Sequence, residues 1–277
     1  MSLDTTTIPA ATREYDVTMK HDIIDVAVIE EYESIEELYI IPIETHIGAA
    51  EFNLDLFREW LSWVEGMPQA RLLFPGDMLE CATASSVGNK FTQTMSPDVQ
   101  MEWAIDNLAP VAGKIYGVIE GNHEYRVTKE TDIAPNKWVA RELGIPYFRE
   151  AQGVLKISLG KNGHGRRIAY IVHFLHGGSN AGTNGGALNA AERTGLIVAN
   201  ADVTIYGHTH KVVSSKTRHF VVDPYNNCIR QEKRYFALAG SLLGYADYAK
   251  RKACRPLPEG CPRIRLDGRK KDVHVTI

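Results

Sequence analysis

Three apolar segments of the chain each lead directly into a polar segment, and this order constrains the fold more than any other feature. The apolar segments are Leu38-Tyr39-Ile40-Ile41-Pro42-Ile43, Leu72-Leu73-Phe74 and Ile115-Tyr116-Gly117-Val118-Ile119. Short apolar runs are typical of buried strands. From Glu44 to Asp77 is 33 residues and from Asp77 to Asn122 is 45, which is the spacing of strand–helix–strand units. We expect parallel strands whose carboxyl ends carry the polar residues, where α/β proteins bind ligands.

Two helices are predicted between these strands. Asn53 is a suitable N-cap for the first, which Gly66 ends. The apolar residues of this helix follow helical spacing, and they are Phe57, Trp60, Leu61 and Val64. Ser96-Pro97 opens the second helix, which stops near Pro110.

The rest of the chain alternates strands with shorter helices. Strands are expected at 25–29, 154–159, 167–175 and 202–206, helices at 136–143 and 187–200, a hairpin loop at 161–165, and short strands at 211–222, 234–243 and 272–277. Because both halves contribute polar strand ends, we expect a single domain over residues 1–277, with a frayed segment at 1–14.

Composition excludes several classes of protein. The chain has 277 residues, 44% hydrophobic and 23% charged, which is ordinary for a soluble globular protein. A net charge of −3 gives no overall attraction to nucleic acid or membranes. No apolar run approaches the roughly 18 residues of a membrane span, and the N-terminus lacks the apolar core of a secretion signal. We therefore expect a cytoplasmic protein.

The four cysteines show no CxxC spacing and are predicted to be reduced, structural thiols. Cys254 and Cys261 flank a proline-rich loop, so pairing or zinc binding by these two is the alternative. No phosphate-binding P-loop is present, and the segment Gly178-Ser179-Asn180-Ala181 does not match the nucleophile elbow of serine hydrolases.

The polar strand ends form one chemical set. Its members are Glu44, His46, Asp77, Asn122, His123, His176, His208 and His210. Each can ligate a metal or transfer a proton, and the mixture of carboxylate, imidazole and amide suits manganese, iron or zinc. Eight candidates exceed one tetrahedral site and fit two metals that share a ligand. For any one motif alone, a polar turn after a strand is the alternative reading.

In order along the chain, these residues resemble the motifs of the calcineurin-like metallophosphoesterases. The family pattern is D-x-H, GD-x-x-(D/N/E), GNH(D/E), H(G) and G-H-x-H. This chain has Glu44-Thr45-His46, Gly76-Asp77-Met78-Leu79-Glu80, Gly121-Asn122-His123-Glu124, His176-Gly177 and Gly207-His208-Thr209-His210. The match spans about residues 38–245. The first motif departs from the family, with Glu44 where aspartate is usual.

The resemblance implies an α/β fold, a four-layer α/β/β/α sandwich of two mixed sheets flanked by helices. It implies one metal on Glu44, His46, Asp77 and His210, and a second on Asn122, His176 and His208 with Asp77 bridging. Manganese is expected first, with iron, zinc or nickel as alternatives. His123 would act as general acid in hydrolysis by a dimetal-activated hydroxide, and Glu124 or Glu80 would orient it. The predicted catalytic residues are therefore His123, Glu124 and Asp77.

The substrate class is less constrained by these residues. The second motif lacks the D-R-G of protein Ser/Thr phosphatases and the tyrosine of purple acid phosphatases. Basic residues of the C-terminal third could line a groove for DNA or RNA, or could form a solvated face, and they are Lys211, Lys216, Arg218, Arg230, Lys233, Arg234, Lys250, Arg251, Lys252 and Arg255. Arg126 could contact phosphate or lie in solvent. We expect a phosphodiesterase with a nuclease-like substrate, as in the DNA-repair-exonuclease-like branch. The alternatives are an enzyme acting on a small nucleotide and a non-catalytic scaffold.

Overall fold

The computed structural model describes residues 13, 15–31, 35–84, 86, 90–161, 163–165 and 167–277. Its strands are β1 (Tyr15–Lys20), β2 (Val26–Glu31), β3 (Glu37–Pro42), β4 (Ala70–Phe74), β5 (Ile115–Val118), β6 (Gln152–Lys161), β7 (Arg167–Leu175), β8 (Val203–Tyr206), β9 (Ser214–Asp223), β10 (Cys228–Leu238), β11 (Arg263–Asp267) and β12 (Val273–Thr276). The α-helices are α1 (Leu54–Gly66), α2 (Pro97–Leu108), α3 (Asn122–Thr131), α4 (Pro135–Leu143), α5 (Asn184–Thr194) and α6 (Asp247–Arg251). Short 3₁₀ turns lie at Lys90–Thr92, Ala109–Lys114 and Gly195–Ile197.

The strands form two mixed sheets. The five-stranded sheet has the order β12-β11-β3-β4-β5, and its β3, β4 and β5 are parallel, as the spacing of their polar ends predicts. The seven-stranded sheet has the order β1-β2-β6-β7-β8-β10-β9, in which β7, β8 and β10 are parallel. The carboxyl ends of parallel neighbours lie at the same edge of a sheet, so both sheets can present polar strand ends.

Three apolar clusters hold four layers together. The first fills the space between the sheets and includes Ile40, Tyr116 and Val172. The second packs α1, α2 and α4 against the outer face of the five-stranded sheet. The third places Ala187 and Ala191 of α5 against Tyr206 and Leu238 of the seven-stranded sheet. The α/β/β/α sandwich of two mixed sheets is therefore confirmed.

The helix signals in the sequence are accurate at most helix starts. Asn53 Oδ1 accepts the Leu56 amide at 3.0 Å, and α1 ends at Gly66 as predicted. Pro97 begins α2. The helix predicted at 187–200 begins earlier, at Asn184, because the Thr183 hydroxyl caps it by accepting the Gly186 amide. It ends at Thr194 and continues only as the 3₁₀ turn Gly195–Ile197.

Other elements differ from the prediction. The segments expected as short strands at 211–222 and 234–243 pair as one long antiparallel ribbon of β9 and β10. A helix, α3, begins directly at Asn122, where only a turn was expected. Of the segment predicted to fray, 1–14, all but Arg13 lies outside the described residues. Among the residues described, none of the helices combines the length and apolar character needed to cross a membrane.

Candidate metal centre

All eight strand-end residues converge at one edge of the sandwich. Glu44 and His46 follow β3, Asp77 follows β4, Asn122 and His123 begin α3, His176 follows β7, and His208 and His210 follow β8. Four of them, Glu44, His46, Asp77 and His176, are at most 2% exposed. Three groups of possible ligands arise, with ligand atoms within 4.8 Å of one another: Glu44 with His46 and His210, His46 with Asp77 and His123, and Asp77 with His176 and His208.

The first group lies around His46 and His210. Their Nε2 atoms are 3.1 Å apart, and His210 Nε2 is 3.9 Å from Glu44 Oε2. His46 Nε2 is also 3.8 Å from Asp77 Oδ2. Nitrogens of two imidazoles and oxygens of two carboxylates therefore lie close together in one small volume.

The group formed by Asp77, His176 and His208 lies around Asn122. Asn122 Oδ1 is 2.9 Å from His176 Nε2 and 2.7 Å from His208 Nδ1. Asp77 Oδ2 is 3.2 Å from His176 Nε2. Since the same Asp77 oxygen approaches His46, Asp77 occupies the position of a carboxylate shared between the two groups.

The donor set fits divalent cations. Glu44 Oε2 is buried and has no hydrogen-bond partner among the described residues, which is costly for a carboxylate unless a cation binds there. The facing nitrogens of His46 and His210 can form at most one hydrogen bond between them. Carboxylate oxygens, imidazole nitrogens and an amide oxygen are ligands that manganese, iron and zinc accept.

Glu44 departs from the family pattern, and its surroundings accommodate the longer side chain. Its Oε1 accepts the His208 amide at 2.5 Å and lies 3.4 Å from His176 Nδ1. A Cβ at position 207 would overlap Glu44 Oε1, so glycine there makes room for the carboxylate. The sequence signal for this was Gly207 itself, which was identified only as part of a motif.

Several of the ligand positions have strained backbone. His46, Asp77, His208 and His210 have φ values of 51°, 49°, 66° and 53°, in the left-handed region that costs non-glycine residues about 1–2 kcal/mol each. Such conformations persist where the surrounding structure enforces them, and they concentrate at functional sites. The strain here directs the side chains of loop residues into the cluster.

His123 lies at the rim of this cluster and is oriented by Glu80. Its Nδ1 is 3.0 Å from the Glu80 carbonyl oxygen and 3.2 Å from Glu80 Oε2, while its Nε2 is 3.9 Å from Asp77 Oδ2. Burial opposes a charge on His123, but Asp77 and Glu80 outweigh it and raise the pKa of His123 to about 9. Burial likewise opposes ionisation of Glu80, yet hydrogen bonds from His123 and His46 lower its pKa to about 2. Nδ1–H therefore donates to Glu80 and leaves Nε2 for the site.

Glu124 has a different position from the one expected. Its carboxylate accepts the backbone amides of Gly121 at 2.8 Å, Asp77 at 3.2 Å and Leu79 at 2.8 Å. Glu124 thus joins the loop that carries Asp77 to the start of α3. Of the two residues that sequence analysis left open as the partner of His123, Glu80 makes the contact and Glu124 does not.

Charges within the cluster compensate one another in the absence of metal. Burial opposes the Asp77 charge, but His176 and His123 hold the pKa of Asp77 well below its usual range. Burial also opposes a charge on His176, yet Asp77 and Glu44 raise the pKa of His176 well above its usual value. Burial raises the pKa of Glu44 and, together with neighbouring imidazoles, lowers the pKa of His208 and His210. The pKa values of the ligand candidates are therefore shifted in opposite directions: His176 upward, and His208 and His210 downward.

Residues near the site complete its support. His176 Nδ1 is 2.9 Å from the Pro75 carbonyl oxygen, a contact that orients the imidazole of this candidate ligand and that no sequence signal revealed. His173 lies outside the cluster, fully buried in β7, with its Nε2 3.3 Å from Gln152 Oε1. All four cysteines are free, so the alternative in which Cys254 and Cys261 form a disulfide is wrong.

The basic residues of the C-terminal third do not form one groove. The site lies at the Leu238 end of β10, and the ribbon of β9 and β10 extends from there past the opposite end of β8. Its tip, at Asp223 and Cys228, is about 30 Å along the strand from the site edge, at about 3.3 Å per residue. Arg218, Arg230 and Lys233 therefore lie toward the far end of the sheet.

The sequence matches no family model and no curated protein. Among solved structures, the chain is similar to NAD nucleotidase from Haemophilus influenzae, with 12% identity and a TM-score of 0.39 over 89% of this chain and 50% of that one. It is also similar to a conserved uncharacterised protein from Streptococcus pneumoniae, described as a predicted phosphoesterase, with 12% identity and a TM-score of 0.35 over 87% of this chain and 98% of that one. This chain thus spans half the length of the nucleotidase.

Proposed function

We propose that the protein is a metal-dependent phosphoesterase that hydrolyses phosphodiester bonds. The observation that carries the proposal is the convergence of three ligand groups: two contain Asp77, and the third contains Glu44, whose buried Oε2 has no hydrogen-bond partner among the described residues. An ion-free role would leave that oxygen without a hydrogen bond, and the facing nitrogens of His46 and His210 with at most one hydrogen bond between them. We further propose that the chain forms one catalytic domain and acts in the cytoplasm.

Each residue has a defined task in this proposal. One cation would be held by Glu44, His46, Asp77 and His210, and a second by Asn122, His176, His208 and Asp77. Divalent cations at these positions would activate a water molecule and neutralise the charge of a phosphate. Manganese is proposed first, with iron, zinc or nickel as alternatives.

The chain's own residues supply the remaining chemistry. His123 Nε2 faces Asp77 and would donate its proton to the leaving oxygen, since Nδ1–H is held by Glu80. Glu124 keeps the Asp77 loop against α3, so its contribution to catalysis is to position the bridging carboxylate. Loss of the Glu80 carboxylate would therefore disturb the orientation of His123, whereas loss of the Glu124 carboxylate would disturb the position of Asp77.

For the substrate, we propose a nuclease-like phosphodiester, with a small nucleotide phosphodiester or phosphomonoester as the second candidate. The second candidate is favoured by the direction of the ribbon, which carries several basic residues away from the site edge. Lys250, Arg251, Lys252 and Arg255 are exposed on and after α6 and remain as cations for a polymeric substrate.

Hydrolysis of bis-p-nitrophenyl phosphate and p-nitrophenyl phosphate tests the reaction. Purified protein is stripped with chelator, reloaded with manganese, and its metal content is measured. We expect bound metal and faster turnover of the diester, with a 10²- to 10⁴-fold loss of turnover in His123→Ala and wild-type turnover in the surface control His164→Ala. DNA, RNA and small nucleotides then distinguish the two substrate classes. A protein that binds no divalent ion and turns over neither ester is the non-catalytic scaffold instead.

A further inference from the structure

Helix α3 places a guanidinium beside His123. Arg126 follows one turn later, on the same face of the helix. Its Nη1 is 3.4 Å from His123 Nδ1 and 3.2 Å from Ser86 Oγ, and the side chain is partly buried. The Arg126 guanidinium therefore lies at the rim of the site, one helical turn after His123, the proposed proton donor.

The charge of Arg126 is not compensated by a carboxylate. In the part of the chain that the structure describes, Arg126 forms no ion pair, and its hydroxyl partner Ser86 uses one of five N–H donors. Three carboxylates on or next to α3 have other partners: Glu80 contacts His123 and His46, Glu124 accepts backbone amides, and Glu130 accepts the Thr83 hydroxyl. The contact with His123 Nδ1 brings two donors together, because Nδ1–H is directed at Glu80. A guanidinium with unused N–H donors at this position favours an anion beside it.

The position of Arg126 shows which part of a substrate it could reach. His123 Nε2 faces Asp77 and the metal ligands, whereas Nδ1 faces Glu80 and Arg126. Arg126 therefore lies on the side of His123 that is turned away from the ligand atoms. A group bound there lies beyond the leaving oxygen that His123 would protonate.

We propose that Arg126 binds a second phosphate of the substrate, carried by the leaving group. The inference rests on the proposed phosphoesterase function and narrows it to nucleotidic substrates with a phosphate on each side of the scissile bond. A polynucleotide and a dinucleotide with a terminal phosphate both have this chemistry. The bidentate geometry of a guanidinium matches phosphate, so lysine at this position would be a partial substitute.

Kinetics on matched dinucleotides test the proposal. The substrates are TpT, pTpT and TpTp, together with bis-p-nitrophenyl phosphate, which has no second phosphate. Wild type is expected to prefer one of the phosphorylated dinucleotides to TpT by about tenfold or more in kcat/KM. Arg126→Gln should lose that preference, mainly through KM, and change turnover of bis-p-nitrophenyl phosphate by less than about threefold. Arg126→Lys should retain part of the preference. Lys129→Gln, which removes a cation from the last turn of the same helix, is the matched control.

Equal losses of Arg126→Gln on all four substrates would overturn the proposal, because Arg126 would then contact the scissile phosphate. Unchanged kinetics on all four would overturn it in favour of a solvated arginine.

Equilibrium binding separates this test from the proposed function. Titration calorimetry of thymidine 3′,5′-bisphosphate and thymidine 5′-monophosphate requires no turnover, and Arg126→Gln is expected to weaken only the bisphosphate, by about tenfold. If wild type hydrolyses nothing but this binding difference is present, the reaction is wrong and the anion site stands. If wild type binds both nucleotides alike, the second-phosphate site is wrong.

Discussion

Two buried polar clusters lie in this sandwich, and they differ in whether their charged groups find partners within the protein. The first joins the two sheets: Arg71 of β4 donates to both carboxylate oxygens of Glu31 at the end of β2, at 3.2 and 2.8 Å. The Tyr116 hydroxyl donates to the same carboxylate. The rings of Tyr15 and Tyr116 lie 5.9 and 5.8 Å from the guanidinium. Every charge of this cluster has a partner within the protein.

The second cluster, the candidate metal centre, is as deeply buried but incomplete. Glu44 Oε2 has no partner among the described residues, and His46 and His210 turn nitrogens toward each other. Four of its residues have left-handed backbone. We call the first cluster closed, because its charged groups pair with one another, and the second open, because it contains a carboxylate oxygen without a hydrogen bond. The comparison indicates that the closed cluster stabilises the fold, whereas the open cluster needs a ligand from solvent and is maintained for function.

The same substitution in each cluster gives the largest contrast. Glu31→Gln removes the carboxylate that neutralises the buried Arg71 guanidinium and is expected to lower the free energy of unfolding by about 3–5 kcal/mol. Glu44→Gln removes a carboxylate whose burial already raises its pKa, so in chelated protein we expect a change of less than about 1 kcal/mol. Urea denaturation in excess chelator measures both. Equal losses would show that the two clusters serve stability alike.

The next largest expected effect is the gain in stability on metal addition. Here the substitution at Glu44 should have the larger consequence and the substitution at Glu31 the smaller one. A cation that binds only the folded state stabilises it by about 2.7 kcal/mol at a concentration one hundred times its Kd. We expect this gain in wild type and in Glu31→Gln, and a reduced gain in Glu44→Gln. Thermal unfolding with manganese and with chelator is the measurement. A gain that survives in Glu44→Gln unchanged would remove Glu44 from the metal ligands.

The two clusters also differ in how far they could be predicted from the sequence. The strand-end residues were predictable because each follows an apolar run and is joined to a glycine or a second ligand type in a short motif. Arg71 and Glu31 are 40 residues apart, on strands of different sheets, and neither carries a local signal. Their pairing depends on how the sheets face each other, which periodicity does not specify.

Within the candidate metal centre, the sequence did not predict which side chains support the candidate ligands and His123. Glu80 and Glu124 are both carboxylates near His123 in motif order, and spacing does not distinguish them. The helix start at Asn122 decides it, because Glu124 is then the third residue of a helix and accepts the Gly121 amide. The direction of the long β9–β10 ribbon was likewise set by pairing register and not by composition.

The pH dependence of stability in chelated protein gives a smaller effect, confined to the open cluster. The pKa of His123 is raised from 6.5 to about 9, so its contribution is fully present below pH 6.5 and is lost as pH rises through 9. Glu80, whose pKa is lowered from 4.5 to about 2, contributes above pH 4.5 and loses that contribution only in acid. We expect wild type to lose roughly 2 kcal/mol between pH 6.5 and 9, and His123→Asn to lose less. Urea denaturation across this range is the measurement, and identical pH profiles would contradict the assigned contact.

The smallest expected effect asks whether the closed cluster depends on each of its members. Burial, followed by the charge of Glu31, raises the pKa of Tyr116 well above its usual value, so the hydroxyl stays protonated and donates to the carboxylate. Tyr116→Phe removes one charge-assisted hydrogen bond and is expected to cost roughly 1.5 kcal/mol, with or without metal. Tyr15→Phe is the matched control, since the buried Tyr15 hydroxyl donates to the neutral carbonyl of Ile115 at 2.8 Å, and we expect it to cost about 1 kcal/mol or less. If Tyr116→Phe instead costs less than Tyr15→Phe, the Arg71–Glu31 ion pair does not depend on the Tyr116 hydroxyl.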